Sequence, residues 1–309
     1  MVKHINKYFV AKRKWSMGKQ NIIKAFFFAL PALALMFVFY VYPMFLSVKY
    51  SFSDWNGISS HYNFIGLTNF LSVLKDENFM QVFVNTLLLA ALYVPVLNLF
   101  AFLLALLIFD IGRIGNLYKT VMFFPNLLSA VVVGFVWKLI YSYSNGLLNT
   151  FLNSIGLEFL AQEWLGQGST VLPSLSATIV WFATGFYLII YLAGLTGIPV
   201  EIYESTTIDG AGWFQKLFKV TIPMIASSIT INLVISTISI LQFFDLPYVL
   251  TQGGPGYMSQ TIALQVYNYA FYTLQQGKGM ALSLLLTLFI ISISLIQLKV
   301  LKKREEVNK

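Results

Sequence analysis

This 309-residue sequence predicts an all-α, polytopic membrane protein with six transmembrane helices, and three observations carry the prediction. Residues of the set AVILMFWYC make up 58% of the chain, charged residues only 10%, and mean hydropathy is +0.74. A soluble domain carries about 25% charge, so this chain cannot cover itself with polar surface and its main solvent must be a lipid bilayer. Six stretches, near 25–48, 82–109, 121–141, 173–198, 222–244 and 281–301, reach the roughly 20 apolar residues that a spanning helix needs. The basic residues, finally, are divided unevenly among the segments between those stretches.

In chain order, residues 1–24 form a tail with Lys3, Lys7, Lys12, Arg13, Lys14, Lys19 and Lys24. The apolar run after it is too long for a signal peptide, and no A-x-A-like site follows it. The second loop adds Arg113 and Lys119, the fourth Lys216 and Lys219, and the C-terminal end Lys299, Lys302, Lys303, Arg304 and Lys309. Of the 20 basic residues, only Lys49, Lys75, Lys138 and Lys278 are left for the other side. The positive-inside rule therefore puts both termini in the cytoplasm. The expected organisation is a cytoplasmic tail at 1–24, a transmembrane domain at 25–301 and a C-terminal tail at 302–309. The net charge of +8 is a topology signal, and with no RNA- or DNA-binding motif beside it nucleic acid is not an expected partner. Pro31, Pro43, Pro95 and Pro125 lie inside the stretches and predict kinks rather than breaks. The outer loops at 49–81 and 142–172 are long and polar, with Asn, Gly and Ser turn chemistry. The chain has no Cys and only His4 and His61, which excludes disulfides and thiolate metal sites and leaves no catalytic or metal centre to expect.

The cytoplasmic loop at 199–223 is short and carries a rare cluster of acidic residues. Pro199 suits a helix start, and Glu201 and Glu204 in the first turns favour the positive end of the helix dipole. Asp209-Gly210 ends this helix, because glycine takes the left-handed conformation that closes one. A second helix places Phe214, Leu217 and Phe218 on one face. Two short helices meeting at a glycine make an elbow, and an elbow with an apolar face either lies on the membrane or docks on another protein.

The full pattern favours docking. Glu204, then Gly210, then Val220-Thr221-Ile222-Pro223 nine residues on resembles the EAA motif of the membrane subunits of binding-protein-dependent ABC importers. Glu201-Ile202-Tyr203-Glu204 and Ile208-Asp209-Gly210-Ala211 are similar to its longer form in sugar permeases; Ser205 and Thr206 stand where that family has alanines. The likeness extends to Phe64-Ile65-Gly66-Leu67-Thr68-Asn69-Phe70, Asp76, Phe79 and Asn85-Thr86, and to Leu250-Thr251-Gln252-Gly253-Gly254-Pro255-Gly256 with Tyr269-Ala270-Phe271. The T-x-G-G-P loop places the chain on the MalF-like rather than the MalG-like side of such pairs.

The resemblance implies the type I ABC importer permease fold in a bacterial cell membrane and the ATP-driven import of a sugar, expected to be an oligosaccharide. It implies four kinds of partner: a second, MalG-like permease, an ABC ATPase dimer, an extracytoplasmic sugar-binding protein and the lipid bilayer. No cofactor is expected on this chain; ATP and magnesium would sit on the ATPase, since no G-x4-G-K-[ST] loop occurs here. Glu201, Glu204, Ser205, Thr206, Asp209, Gly210 and Ala211 would then form the ATPase-coupling helix, rooted in the bundle by Phe214 and Phe218. Register against the family's motifs brings Trp181, Phe182, Ala183 and Phe186, with Ser236, Ser239, Ile240 and Phe243, onto its sugar-contacting positions; Gln242 and Asp245 stand close by as hydrogen-bonding groups. Ile240 and Phe243 replace asparagines of the maltose-type relatives, which argues against maltose itself. The competing class, a self-contained secondary transporter, needs an ion-coupling site, and deep charged pairs are scarce in these stretches.

Overall fold

The computed structural model describes residues 19–109, 111 and 114–307, so most of the 1–24 tail and Arg113 lie outside it. Residues up to Lys49 form one compact unit and those from Tyr50 onward another. The first unit is helical: α1 (Lys19–Met36), a π turn (Phe37–Val41) and α2 (Tyr42–Ser51), the last of which runs on into the second unit. Phe27, Phe28 and Phe39 are exposed, as suits side chains that lipid solvates.

The second unit starts with α3 (Thr68–Leu74), followed by α4 (Phe79–Phe109), α5 (Gly115–Leu127), α6 (Ala130–Ile140), α7 (Leu147–Ser154) and α8 (Gly168–Thr196). Then come α9 (Val200–Ile208), α10 (Trp213–Lys216), a π turn (Leu217–Thr221), α11 (Ile222–Met224), α12 (Ala226–Leu241) and α13 (Asp245–Leu250). The last are α14 (Ile262–Tyr267), a π turn (Asn268–Tyr272) and α15 (Gln276–Val307). Among the described residues four continuous helices can cross a membrane, at Phe26–Ser51, Phe79–Phe109, Gly168–Thr196 and Gln276–Lys303. The third and fifth predicted crossings are bent pairs instead, α5 with α6 at 95° and α10–α11 with α12 at 68°.

Proline explains part of this. Pro125 sits four residues ahead of the break at Ser129, whose backbone is extended, and Pro223 sits two ahead of Ile225. A proline ring crowds the carbonyl four residues back and offers no N–H. Two of the π turns end two residues before Pro43 and Pro223, where widening the turn relieves that clash. Pro31 and Pro95 are carried within unbroken helices.

Helix α8 is the centre of the bundle: 61% of its most apolar window is buried, against 33% for α4 and 22% for α15. It packs along α4, α5 and α12. Leu89 and Leu97 of α4, Leu175, Ile179, Leu188 and Leu195 of α8, and Ile225 and Leu241 form the main core. At Gly185, α8 passes so close to α5 that an added Cβ would lie 2.2 Å from the Met122 carbonyl oxygen. Small residues at such crossings allow helices to pack in lipid, where no hydrophobic force drives them together.

The end of the bundle near Phe79 is tied by polar bonds. Asn85 Nδ2 donates to the Tyr257 and Gln260 carbonyls at 2.7 and 3.1 Å, and Thr86 Oγ1 accepts from the Ile262 N–H at 2.9 Å. Asn69 Nδ2 donates to the Ser51 and Ser53 carbonyls. Asp76 Oδ2 accepts from Tyr269 at 2.6 Å and from Lys278 at 3.3 Å. Burial pushes the Asp76 carboxyl up, but the bonds from Tyr269, the Asn78 N–H and Lys278 outweigh it and hold the group below the usual carboxylate range. Burial, then the bond to Asp76, pushes the Tyr269 phenol up. Asn149 organises the 142–167 loop by donating to the Tyr143 and Gln162 carbonyls and accepting from Trp164 Nε1 at 2.8 Å.

Candidate functional site

The elbow begins at Pro199, whose extended backbone precedes α9, and Glu201 lies in the first turn. Its end is a Schellman closure. The Gly210 N–H bonds the Thr207 carbonyl and the Ala211 N–H the Thr206 carbonyl, with Gly210 at φ +73°. The hydroxyls of Ser205 and Thr206 donate to the Ile202 and Tyr203 carbonyls of their own helix, so these departures from alanine add little polarity to the surface. Lys216 Nζ reaches Thr207 Oγ1 at 2.8 Å and joins the two arms.

The elbow's inner side is Ile202 and Tyr203, packed on the main core, together with Leu217 and Thr221. Tyr203 lies 6.4 Å from the ring of Phe109, and its hydroxyl 3.3 Å from that of Thr221. Phe214 and Phe218, expected to root the elbow, are instead 71% and 62% exposed. The buried residues of this arm are Leu217, Thr221 and Ile225, and both phenylalanines stay outside that packed set. Glu201, Glu204, Ser205, Asp209 and Gly210 are exposed beside Ile208, Trp213 and Phe214. Carboxylates and large apolar side chains thus share one surface.

A cavity of about 240 Å³ lies between α8 and α12. Phe182, Ala183 and Phe186 come from α8, and Ser239, Ile240 and Phe243 from α12 and the turn after it. Tyr93, Asn126, Ile179, Tyr187 and Ile235 complete the wall, and Tyr187 donates to Ser239 Oγ at 3.4 Å. Aromatic faces with a few hydroxyl and amide groups suit the apolar faces and polar rim of a sugar ring.

The other four pathway candidates are elsewhere. Ser236 is fully buried and accepts from Asn98 Nδ2 at 3.0 Å, while Tyr191 donates to Asn98 Oδ1 at 2.8 Å. These bonds tie α4, α8 and α12 together beside the cavity. Trp181 points into an apolar groove with Leu92, Phe100 and Met122, and packs 5.6 Å from Trp137. Gln242 and Asp245 are exposed at the end of α12 and the start of α13. Tyr93 was not foreseen, because one more aromatic in a 31-residue apolar helix carries no signal of its own.

The sequence profile of the binding-protein-dependent transport system inner membrane component family matches residues 81–305. The probable ABC transporter permease protein YurN of Bacillus subtilis (strain 168) is 31% identical over 94% of this chain and 100% of its own length. The diacetylchitobiose uptake system permease protein NgcF of Streptomyces coelicolor is 31% identical over 89% of this chain and 80% of its own. A bacterial alginate ABC transporter, crystallised with its alginate pentasaccharide-bound periplasmic protein, contains a chain that superposes with a TM-score of 0.81 at 23% identity, over 93% of this chain and 96% of that one. By the extent of the profile match and of these relatives, the chain belongs to the binding-protein-dependent transport system inner membrane component family and is a multi-pass membrane permease.

Proposed function

We propose that this chain is the MalF-like permease subunit of an ATP-driven importer that carries a sugar, an oligosaccharide rather than a monosaccharide, into a bacterial cell. It would pair with a MalG-like permease, take its substrate from an extracytoplasmic binding protein, and leave ATP and magnesium to a separate ATPase dimer. The chain itself would catalyse no reaction and bind no cofactor. The observation that carries the reading is the elbow, a glycine-closed helical turn whose outer surface mixes Glu201, Glu204 and Asp209 with Ile208, Trp213 and Phe214. An apolar surface rimmed by charge is what a docking site for another protein needs. The uptake of diacetylchitobiose by a relative's system, and an aromatic-walled cavity on α8 and α12, support a saccharide as the cargo. With the elbow on the cytoplasmic side, as the basic-residue distribution expects, both termini are cytoplasmic too.

The test is reconstitution with the partner permease, ATPase and binding protein in proteoliposomes, and ATP-dependent uptake of diacetylchitobiose and maltotriose. Gly210→Asp adds a side chain at φ +73° and a charge at the docking turn; the subunit should stay in the membrane and uptake should be lost. Normal uptake by that variant refutes the coupling role, and no saccharide uptake by the parent refutes the cargo.

A further inference from the structure

At the end of the bundle away from the elbow lies a second polar cavity, of about 420 Å³. The elbow meets α4 at Phe109 through Tyr203, whereas this cavity lies against Asp76 and Asn78, just ahead of Phe79. The 31 residues of α4 separate the two ends by about 46 Å, more than the roughly 30 Å hydrocarbon core. If the elbow is cytoplasmic, the cavity opens outward.

Its walls are phenol rings and carboxamides, Tyr248, Tyr257 and Tyr272 with Gln252, Gln265 and Asn268. Rings offer flat faces for the C–H side of a pyranose, and carboxamides both donate to and accept from its hydroxyls. The volume falls within the about 300–1,000 Å³ typical of small-ligand sites. The backbone adds a separate sign. Gln252 is held at φ +52°, a region that residues other than glycine seldom enter and that clusters at functional sites.

The rings also lead inward. Tyr272 packs on Tyr267 at 5.7 Å, Tyr267 on Tyr248 at 5.2 Å and on Phe244 at 4.8 Å, and Tyr248 stacks on Phe244 at 5.1 Å. The residue before Phe244 is Phe243, which lines the cavity between α8 and α12. The aromatic cluster that starts at the outer cavity therefore ends at Phe244, one residue along the chain from the lining of the inner one.

We propose that the outer cavity is an entry subsite for one or two sugar rings, from which an oligosaccharide moves along the aromatic cluster toward the cavity between α8 and α12. The proposal rests on the sugar-permease reading, and its test separates the two. Because the chain has no cysteine, Asn268→Cys supplies a single thiol in the outer cavity, and Gln252→Cys a second, independent one should the first variant fold poorly. The assembled importer, built with cysteine-free partners and held without ATP, is labelled with a maleimide in the presence of diacetylchitobiose or maltotriose. Glycine betaine is the non-sugar control, and Asn116→Cys, exposed at the start of α5 and outside both cavities and the elbow, the remote one.

At three times the half-saturating sugar concentration, labelling of the outer-cavity thiols should slow about 4-fold, since the free fraction falls as 1/(1 + [L]/Kd). Asn116→Cys should label at an unchanged rate. Tyr248→Ala should abolish the protection and Tyr248→Phe preserve it, because stacking needs the ring and not the hydroxyl. Uptake of a sugar with unprotected thiols at both positions overturns the entry subsite and leaves the sugar reading intact. Equal protection by glycine betaine overturns the carbohydrate assignment of this cavity. Failure of both sugars to be taken up overturns the two proposals together.

Discussion

Gly185→Ala tests whether α8 and α5 touch backbone to backbone. The added Cβ would lie 2.2 Å from the Met122 carbonyl oxygen and 2.6 Å from Phe123 Cα, where ordinary contact starts at 3.4 Å. Neither neighbour can swing aside, since both belong to the main chain of α5, so that helix has to retreat by roughly 1 Å. Overpacking of this kind costs about 1–3 kcal/mol. Against it stands the helix preference for Ala over Gly, about 1 kcal/mol. The clash should win by up to roughly 2 kcal/mol, a factor of up to about 30 in the folded population. Thermal unfolding of the detergent-solubilised chain, followed by the loss of monodisperse protein, reads the effect directly. Gly212→Ser is the matched control, because an added Cβ there meets nothing within 4 Å and Ser is a good N-cap for α10. Met122→Ala should not rescue Gly185→Ala, as the obstacle is a carbonyl. An unfolding temperature at or above the parent's, or rescue by Met122→Ala, would refute the close approach.

Two further outcomes follow from the polar ties outside the spans. Asp76 is held below its ordinary value of 3.8, so its contribution is complete above that pH and is lost as pH falls through the lower folded-state value. Asp76→Asn should therefore destabilise the chain at neutral pH, with the gap to the parent narrowing below pH 3.8 in a series of melting curves. Asn149→Ala should cost about 1–3 kcal/mol by leaving the Trp164 N–H and two carbonyls without their partner. Limited proteolysis should then cut the 142–167 segment faster, and an unchanged digestion pattern would show the loop to be held by other means.

The apolar runs betray the spans in the sequence because lipid solvates all sides of a helix and composition alone marks it. The bends are less visible. Pro95 and Pro125 read alike, yet one is carried inside an unbroken 31-residue helix and the other precedes a 95° turn. What separates them is tertiary, the close approach of α8 at Gly185 to the turn just ahead of Pro125. At the elbow, Gly210 was legible because a left-handed residue that closes a helix is nearly always glycine. The rooted face was not, because Phe214-Leu217-Phe218 and Leu217-Thr221-Ile225 are both valid helical stripes and only packing chooses between them. Phe182, Ala183, Phe186, Ser239, Ile240 and Phe243 follow from register along two helices. Ser236 fits the same register but is taken up by Asn98, a partner 138 residues away that no local pattern predicts. The Asn85-Thr86 and T-x-G-G-P segments looked like separate signatures, whereas folding bonds Asn85 and Thr86 to Tyr257, Gln260 and Ile262, in the stretch just after the T-x-G-G-P loop.

The connectivity of the elbow gives its position a mechanical meaning. Its first arm, α9, follows directly on α8, which supplies Phe182, Ala183 and Phe186 to the inner cavity; its second arm, α10–α11, leads into α12, which supplies Ser239 and Ile240. Both walls of the cavity are thus chain-continuous with the same exposed turn. The arms are held together by Lys216 on Thr207 and by Tyr203 on Thr221, so a push on the turn moves them as a pair. They are not, however, coupled to the walls in the same way. Gly197 and Pro199 interrupt the path into α8, and a 68° bend centred on the fully buried Ile225 interrupts the path into α12. A displacement along one arm must therefore rotate its wall helix about a different pivot from the other. Two walls turning about two pivots change the width of the space between them, whereas a rigid hairpin would carry the cavity along unchanged. On the proposed coupling role, the bend at Ile225, which looks like a defect in a spanning helix, would let a push at the turn open or close the cavity.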